Sequence, residues 1–368
     1  MNYRYLNLIL VTTNILKMKF SKLILVVLVV LGINACNQKA AKKEAADNVK
    51  YYRSIQFSET PWDIEKGTHP VTAEDAKTVN NYKFTYNENG SLASVEYNRN
   101  NVLLDYSSIG AAKITYTYEG NKQIKHFFNE KGEHAKNGGA SVSEYTLDES
   151  GVRIAMRFLD ENNAPVENRN KINNYKWKRL PDGMVQELRY NLAGESVVMN
   201  EFCPFYELRF TYDANGFVTR MANYQADTLY NCTAENCGDI GVSYFLFENN
   251  AAGDLLSFSV HNASGQSSNL YWGWSKILNI VDGNGYVIEA TLFDQDNEYL
   301  GGKNLPVTKT EYDDHGALVK RISLDKDKNI ENNPADGVAI TKYTYDEQGR
   351  RTETLKYDKN EVLVPTKG

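Results

Sequence analysis

Arg209-Phe210-Thr211-Tyr212-Asp213-Ala214-Asn215-Gly216 is the phrase from which most of the chain is built. Together with Leu208, its Phe210 and Tyr212 place apolar or aromatic side chains at every second position, the period of a strand with one buried face. Asp213 can accept a hydrogen bond from the backbone two residues on. Gly216 supplies a positive φ without steric cost, so the strand ends in a hairpin loop. The phrase recurs as Lys83-Phe-Thr-Tyr-Asn-Glu-Asn-Gly90, Lys309-Thr-Glu-Tyr-Asp-Asp-His-Gly316 and Lys342-Tyr-Thr-Tyr-Asp-Glu-Gln-Gly349. In degenerate copies Leu147-Asp148 or Val281-Asp282 replaces the Tyr-Asp pair. The aligned glycines are Gly90, Gly120, Gly151, Gly183, Gly216, Gly253, Gly285, Gly316 and Gly349, a period of 30 to 37 residues and about nine units.

Each unit repeats the idea 10 to 12 residues later: Tyr97-Asn98 follows Tyr86-Asn87, Phe128-Asn129 follows Tyr118-Glu119, and Tyr357-Asp358 follows Tyr345-Asp346. Every unit therefore carries two turns, and no stretch beyond residue 35 has a helical stripe. The predicted fold is all-β, a tandem array of antiparallel β-hairpin repeats over 81–368 forming an elongated, twisted or spiralling sheet. Its units are expected to bury their faces only against neighbours. Residues 51–80, aromatic and interrupted by Pro61 and Pro70, lack the repeat and are expected to form an N-terminal cap over the first open sheet edge.

Composition agrees. The 368 residues include 25 Tyr, 14 Phe and 4 Trp but only 8 Pro, and aromatic residues favour half-buried pleated surfaces. A net charge of -6 with both signs interspersed argues against a nucleic-acid partner, which would need a basic patch.

The Tyr-Asp-x-x-Gly spacing, from about Tyr82 to Val364, resembles the YD-type repeats of bacterial cell-surface proteins, including the RHS shells. The resemblance implies a hairpin array on an exported protein. Because this sequence has fewer repeats and ends about twenty residues after Gly349, an open sheet is expected rather than a closed cocoon.

The N-terminus is consistent with export. Lys17, Lys19 and Lys22 precede the apolar run Leu23 to Ile33, the order of charge and hydrophobe in a secretory signal. At 11 residues the run is shorter than the ~20 a helix needs to cross a bilayer. It ends in Ile33-Asn34-Ala35-Cys36, which resembles the lipobox of bacterial lipoproteins. The resemblance implies cleavage of a signal peptide spanning 1–35 (with 1–17 read as a start-site artefact) and acylation of Cys36 by palmitate-like chains. Residues 37–50, polar and alanine-rich, have too little apolar bulk to order themselves and read as the rest of a tether that begins at Cys36. More than one acyl chain makes a stable anchor. Asn37 is not the aspartate associated with inner-membrane retention in some bacteria, so the outer membrane is expected.

Three further candidate sites follow. Tyr271-Trp272-Gly273-Trp274 concentrates large rings beside a glycine and suits stacking on a glycan; its alternative is a core aromatic ladder. Asp325, Asp327, Asn329, Glu331 and Asp336 approach the spacing of a calcium-binding loop, but Ile330 stands where that loop wants glycine. Turn formation explains those acids and every other copy of the loop, including those without a second acid. Cys232 and Cys237 can close a small disulfide loop, or either can pair with Cys203. The five histidines are scattered, and no hydrolase or phosphate-loop motif is present.

The expected function is a non-catalytic, lipid-anchored binding or scaffolding module of the bacterial envelope. It needs no cofactor and meets an envelope protein or a glycan. The alternatives are a glycan-processing or other hydrolase on a β scaffold, and a purely structural spacer.

Overall fold

The computed structural model describes residues 48–198, 205–231, 233, 242–270, 272–298 and 305–365. Among them the chain is all-β, with twenty-two strands joined in one antiparallel sheet and a single 3-10 turn at Asp75–Lys77. No helix among them is long and apolar enough to cross a membrane. Cys36, Cys203, Cys232, Cys237 and Tyr271 lie outside the described residues.

Two strands lead, β1 (Val49–Ile55) and β2 (Gly67–Val71). The first hairpin is β3 (Asn81–Tyr86) with β4 (Leu92–Arg99), extended by the two-residue β5 (Val102–Leu103). The next three are β6 (Lys113–Glu119) with β7 (Lys122–Phe128), β8 (Val142–Leu147) with β9 (Arg153–Leu159), and β10 (Asn174–Arg179) with β11 (Val185–Tyr190). The fifth is β12 (Glu207–Tyr212) with β13 (Val218–Gln225), extended by β14 (Thr228–Leu229). The sixth and seventh are β15 (Tyr244–Asn249) with β16 (Leu255–His261) and β17 (Lys276–Val281) with β18 (Val287–Phe293). The last two are β19 (Val307–Tyr312) with β20 (Leu318–Leu324) and β21 (Ile340–Tyr345) with β22 (Arg351–Tyr357). The return strand of each hairpin pairs with the first strand of the next, as β4 does with β6, β9 with β10 and β20 with β21.

The turn chemistry is the one the repeat phrase requires. The N–H groups of Asn215 and Phe217 both donate to Asp213 Oδ1 at 2.9 Å. The Gly216 N–H donates to the Asp213 carbonyl at 3.1 Å, and the Asp213 N–H to the Phe217 carbonyl at 2.9 Å. The same set closes Asn87, Asp148, Asp282 and Asp313. Second turns such as Asp160 and Asp358 use it too. There a non-glycine residue takes the positive φ, Asn163 at 62° and Glu361 at 59°.

The Tyr345 hydroxyl donates to the Leu318 carbonyl at 2.7 Å, and the Tyr118 hydroxyl to the Leu92 carbonyl at 2.9 Å. In each case the tyrosine of one hairpin bonds the start of the preceding return strand. Phenylalanine would fill the same space but leave that bond unmade, which accounts for tyrosine in the repeat and for part of the tyrosine excess.

Residues 51–80 do more than cover an edge. β1 lies along β3 and β2 along β1, so the first edge is extended by two strands. Between them, residues 56–66 leave the sheet and run into its concave side, where successive hairpins fold around them. Lys125 of the second hairpin pairs with Glu65. The Trp62 indole N–H donates to the Arg153 carbonyl of the third at 2.9 Å. Thr60 donates to the buried Glu187 carboxylate of the fourth at 2.5 Å, and Tyr212 of the fifth to Asp63 at 3.0 Å. Phe57 packs on Phe247 of the sixth with ring centroids 5.1 Å apart. The expectation that units bury their faces only against neighbours is therefore corrected. A sheet this long coils, because strands twist, and its concave side needs an apolar and polar filling that the hairpins alone do not supply.

The coil returns to its start. The Asn80 N–H donates to the His315 carbonyl at 2.8 Å, and the Arg351 guanidinium lies 3.8 Å from the centroid of Tyr106. The Gly349 turn sits so close to Arg99 that a Cβ there would stand 2.0 Å from a guanidinium nitrogen. No strand ladder makes this closure: among the described residues, β22 pairs with β21 alone and β2 with β1 alone.

Candidate functional site: a tyrosine-lined chamber

Buried clusters fill the coil at the first two hairpins, from the third to the sixth, and at the last two. The seventh interrupts them. No residue of β17 or β18 is fully buried, although their sequences Lys276-Ile-Leu-Asn-Ile-Val281 and Val287-Ile-Glu-Ala-Thr-Leu-Phe293 are apolar enough to be. Their inner face borders a chamber of about 700 Å³.

One wall is N-terminal, with Arg53 and Gln56 from β1 and its extension and Tyr82 and Tyr97 from the first hairpin. The opposite wall is C-terminal, with Asn279, Tyr286, Tyr312, Tyr345 and Arg351. Tyr286 and Tyr312 stack with centroids 4.6 Å apart and planes 18° from parallel. Burial raises the phenols of Tyr97, Tyr286, Tyr312 and Tyr345 above their ordinary range, so all four are neutral donors at physiological pH. Arg351 is held over Tyr106, Tyr343 and Tyr345, at 3.8, 4.3 and 5.9 Å from the ring centroids. Its Nε is buried without a hydrogen-bond partner.

The turn glycines of the late hairpins have a second role that the repeat did not reveal. A Cβ on Gly316 would stand 2.0 Å from the Tyr286 hydroxyl, and one on Gly285 would stand 2.5 Å from the His69 ring. Gly90, Gly151 and Gly183 have open space at the same position. The late turns therefore need glycine for close approach as well as for φ. His69 itself, at φ 54°, places Nε2 at 2.8 and 2.9 Å from the two oxygens of Asp254. This pair fastens β2 to the sixth hairpin at the chamber wall.

The sites expected from sequence are placed differently. Trp272 and Trp274 are half-buried, with centroids 5.0 Å apart, and Trp274 meets Phe258 edge-on at 5.9 Å. The Trp272 indole N–H donates to the Trp274 carbonyl at 2.9 Å. These contacts engage the rings in packing at the sixth hairpin, away from the chamber. In the acidic loop, Asp325 Oδ1 accepts the N–H groups of Asp327 and Asn329 at 2.9 and 2.8 Å. Glu331 is held by Lys359 at 2.9 Å, and Asp336 accepts the Val338 N–H at 3.1 Å. Their oxygens close turns and an ion pair. Among the described residues, no three His, Cys, Asp or Glu side chains cluster as a metal site would require.

No protein-family description and no curated protein sequence matches the chain. Similar solved structures include a crystal structure of TcdB2-TccC3-TEV, 14% identical with TM-score 0.31, over 76% of this chain and 12% of that one. A porin-like protein from Bacteroides uniformis ATCC 8492 is 11% identical with TM-score 0.26, over 83% of this chain and 93% of that one. TcdB2-TccC3-Cdc42 is 12% identical with TM-score 0.21, over 86% of this chain and 19% of that one. This chain thus spans about an eighth of the first of them.

Proposed function

We propose that this protein is a lipid-anchored, non-catalytic binding module of the bacterial cell envelope, and that its ligand enters the tyrosine-lined chamber. The observation that carries the reading is the chamber itself. At about 700 Å³ it falls within the roughly 300–1,000 Å³ of small-ligand sites. It is walled by both ends of the repeat array, so a ligand there would tie the first hairpins to the last. Its lining of phenols, amides and guanidinium groups is suited to holding a ligand in place. At the chamber wall both Asp254 oxygens already face the His69 imidazole.

Cys36 and the tether would hold this surface at a membrane, with the outer membrane the expected one. Fractionation of cells grown with labelled fatty acid tests the anchor. The wild-type chain should carry label and sediment with membranes, whereas Cys36→Ser should be unlabelled and soluble. A Cys36→Ser protein that still sediments with label would overturn the anchor. For the chamber, thermal unfolding of the detergent-solubilised protein against a panel of envelope oligosaccharides should show a raised Tm with the ligand recovered intact. Cleaved product would favour a hydrolase, and no shift with any member would leave a structural spacer.

A further inference from the structure

We propose that the chamber selects an acidic saccharide unit, a sugar ring carrying a carboxylate or a sulfate, held between stacked phenols and the guanidinium groups of Arg53 and Arg351. This rests on the chamber being the binding site and goes further by naming the ligand's chemistry.

The charge inventory points to an anion. Three carboxylates border the chamber, Glu65, Asp105 and Asp254. Glu65 is bound by Lys125 and Tyr116, and Asp254 by His69, so both are engaged by neighbours. Arg53 and Arg351 also border it, and among the described residues neither has a carboxylate within ion-pairing distance. Asp105 stands near Arg351, and burial works to raise its pKa. Among the described residues, two guanidinium groups therefore border the chamber without an ion-pair partner, at a place where water is partly excluded and a charge pair gains strength. Arg351 lies over three tyrosine rings with its Nε buried and unbonded, and a fork of donors suits a two-oxygen group.

The remaining lining points to a hydroxyl-rich ring. Tyr286 and Tyr312 present stacked phenols, and a sugar's C–H face packs on such surfaces. Ser54, Gln56, Asn80 and Asn279 bring hydroxyl and amide groups to the same space. A flat aromatic acid would leave their unbonded atoms, the buried Asn80 Oδ1 among them, unpaired, at a cost for each. A polyhydroxylated ring would pair them.

Calorimetric titration of the full chain with a glucuronic-acid-containing disaccharide, its sulfated analogue and its neutral counterpart tests the claim. At least one acidic probe should bind about tenfold or more tightly than the neutral one. Its affinity should fall as salt rises while the neutral probe's stays constant. Arg53→Met should remove the preference, bringing the acidic probe's affinity to that of the neutral one in the same variant, and Tyr312→Ala should weaken both. Equal binding of acidic and neutral probes, with no salt dependence in the wild-type protein, overturns the acidic selectivity and keeps the chamber as a site. No binding of any probe, together with no Tm shift across the oligosaccharide panel, overturns both. Because the salt series uses the wild-type chain, it decides the selectivity even if a variant fails to fold.

Discussion

Arg153→Ala is expected to lower the unfolding free energy by about 3–5 kcal/mol, the cost of removing one partner from a buried charged network. Arg153 is 2% exposed. Its Nε donates to Gln123 at 2.9 Å, and one terminal nitrogen reaches the carbonyls of Pro61 and Asp63 on the segment inside the coil. Its guanidinium lies 3.8 Å from the Tyr145 centroid. Alanine would strip two carbonyls of their donor, remove a cation from a tyrosine face and leave Glu65 with Lys125 and the Tyr116 hydroxyl. Substitution of an exposed turn acid such as Asp148, by contrast, should cost only about 1 kcal/mol, because water can replace its bonds. Chemical denaturation of the two variants checks this ordering. Equal, small losses would mean that Arg153 does not hold the inner segment.

The second large effect depends on pH. Burial alone would raise the Glu65 carboxyl, but Lys125, Arg153 and the Tyr116 hydroxyl outweigh it and bring it down to about 2. A carboxyl depressed in the folded state contributes stability that is fully present above its unfolded value near 4.5 and is lost as pH falls through its folded value. The wild-type protein should therefore lose about 3 kcal/mol of stability between pH 5 and pH 2 through this group. Glu65→Gln should be less stable by a similar amount at pH 7, with a flatter acid limb, and should converge with the wild type near pH 2. Denaturant midpoints over that pH range check it. Parallel curves would show that Glu65 has no depressed carboxyl.

These two residues also show where the sequence was legible. The strands, turn glycines and hairpin order could be read from it because their causes are local: alternation along Leu208, Phe210 and Tyr212, and one acid closing each loop. The role of Arg153 could not be read. In sequence it is the first residue of a return strand, and its partners Pro61 and Asp63 lie about ninety residues away. Residues 56–66 looked like part of a cap because they lack the repeat, and an absent repeat says nothing about which side of the sheet a segment takes. One clue was present. Trp62, Asp63, Ile64 and Glu65 alternate bulk and acid, while Lys125, Arg153 and Arg179 stand on strands beside them. The chamber was less legible still. It forms where residues from β1 and from the ninth hairpin meet, and each of its tyrosines reads alone as one more repeat aromatic. Trp272 and Trp274 pack at the sixth hairpin, apart from the residues that line the chamber.

Hydrogen exchange across residues 56–66 is the most direct test of a hairpin sheet wound around its own N-terminal segment. The N–H groups of Gln56, Trp62 and Asp63 donate within this segment, and hairpins from the second to the sixth surround it. The expected result is protection within about tenfold of that of β10 and β11, with exchange only on global unfolding. Exchange within seconds across 56–66, while β10 and β11 stay protected, would place the segment on the outside and contradict the coil.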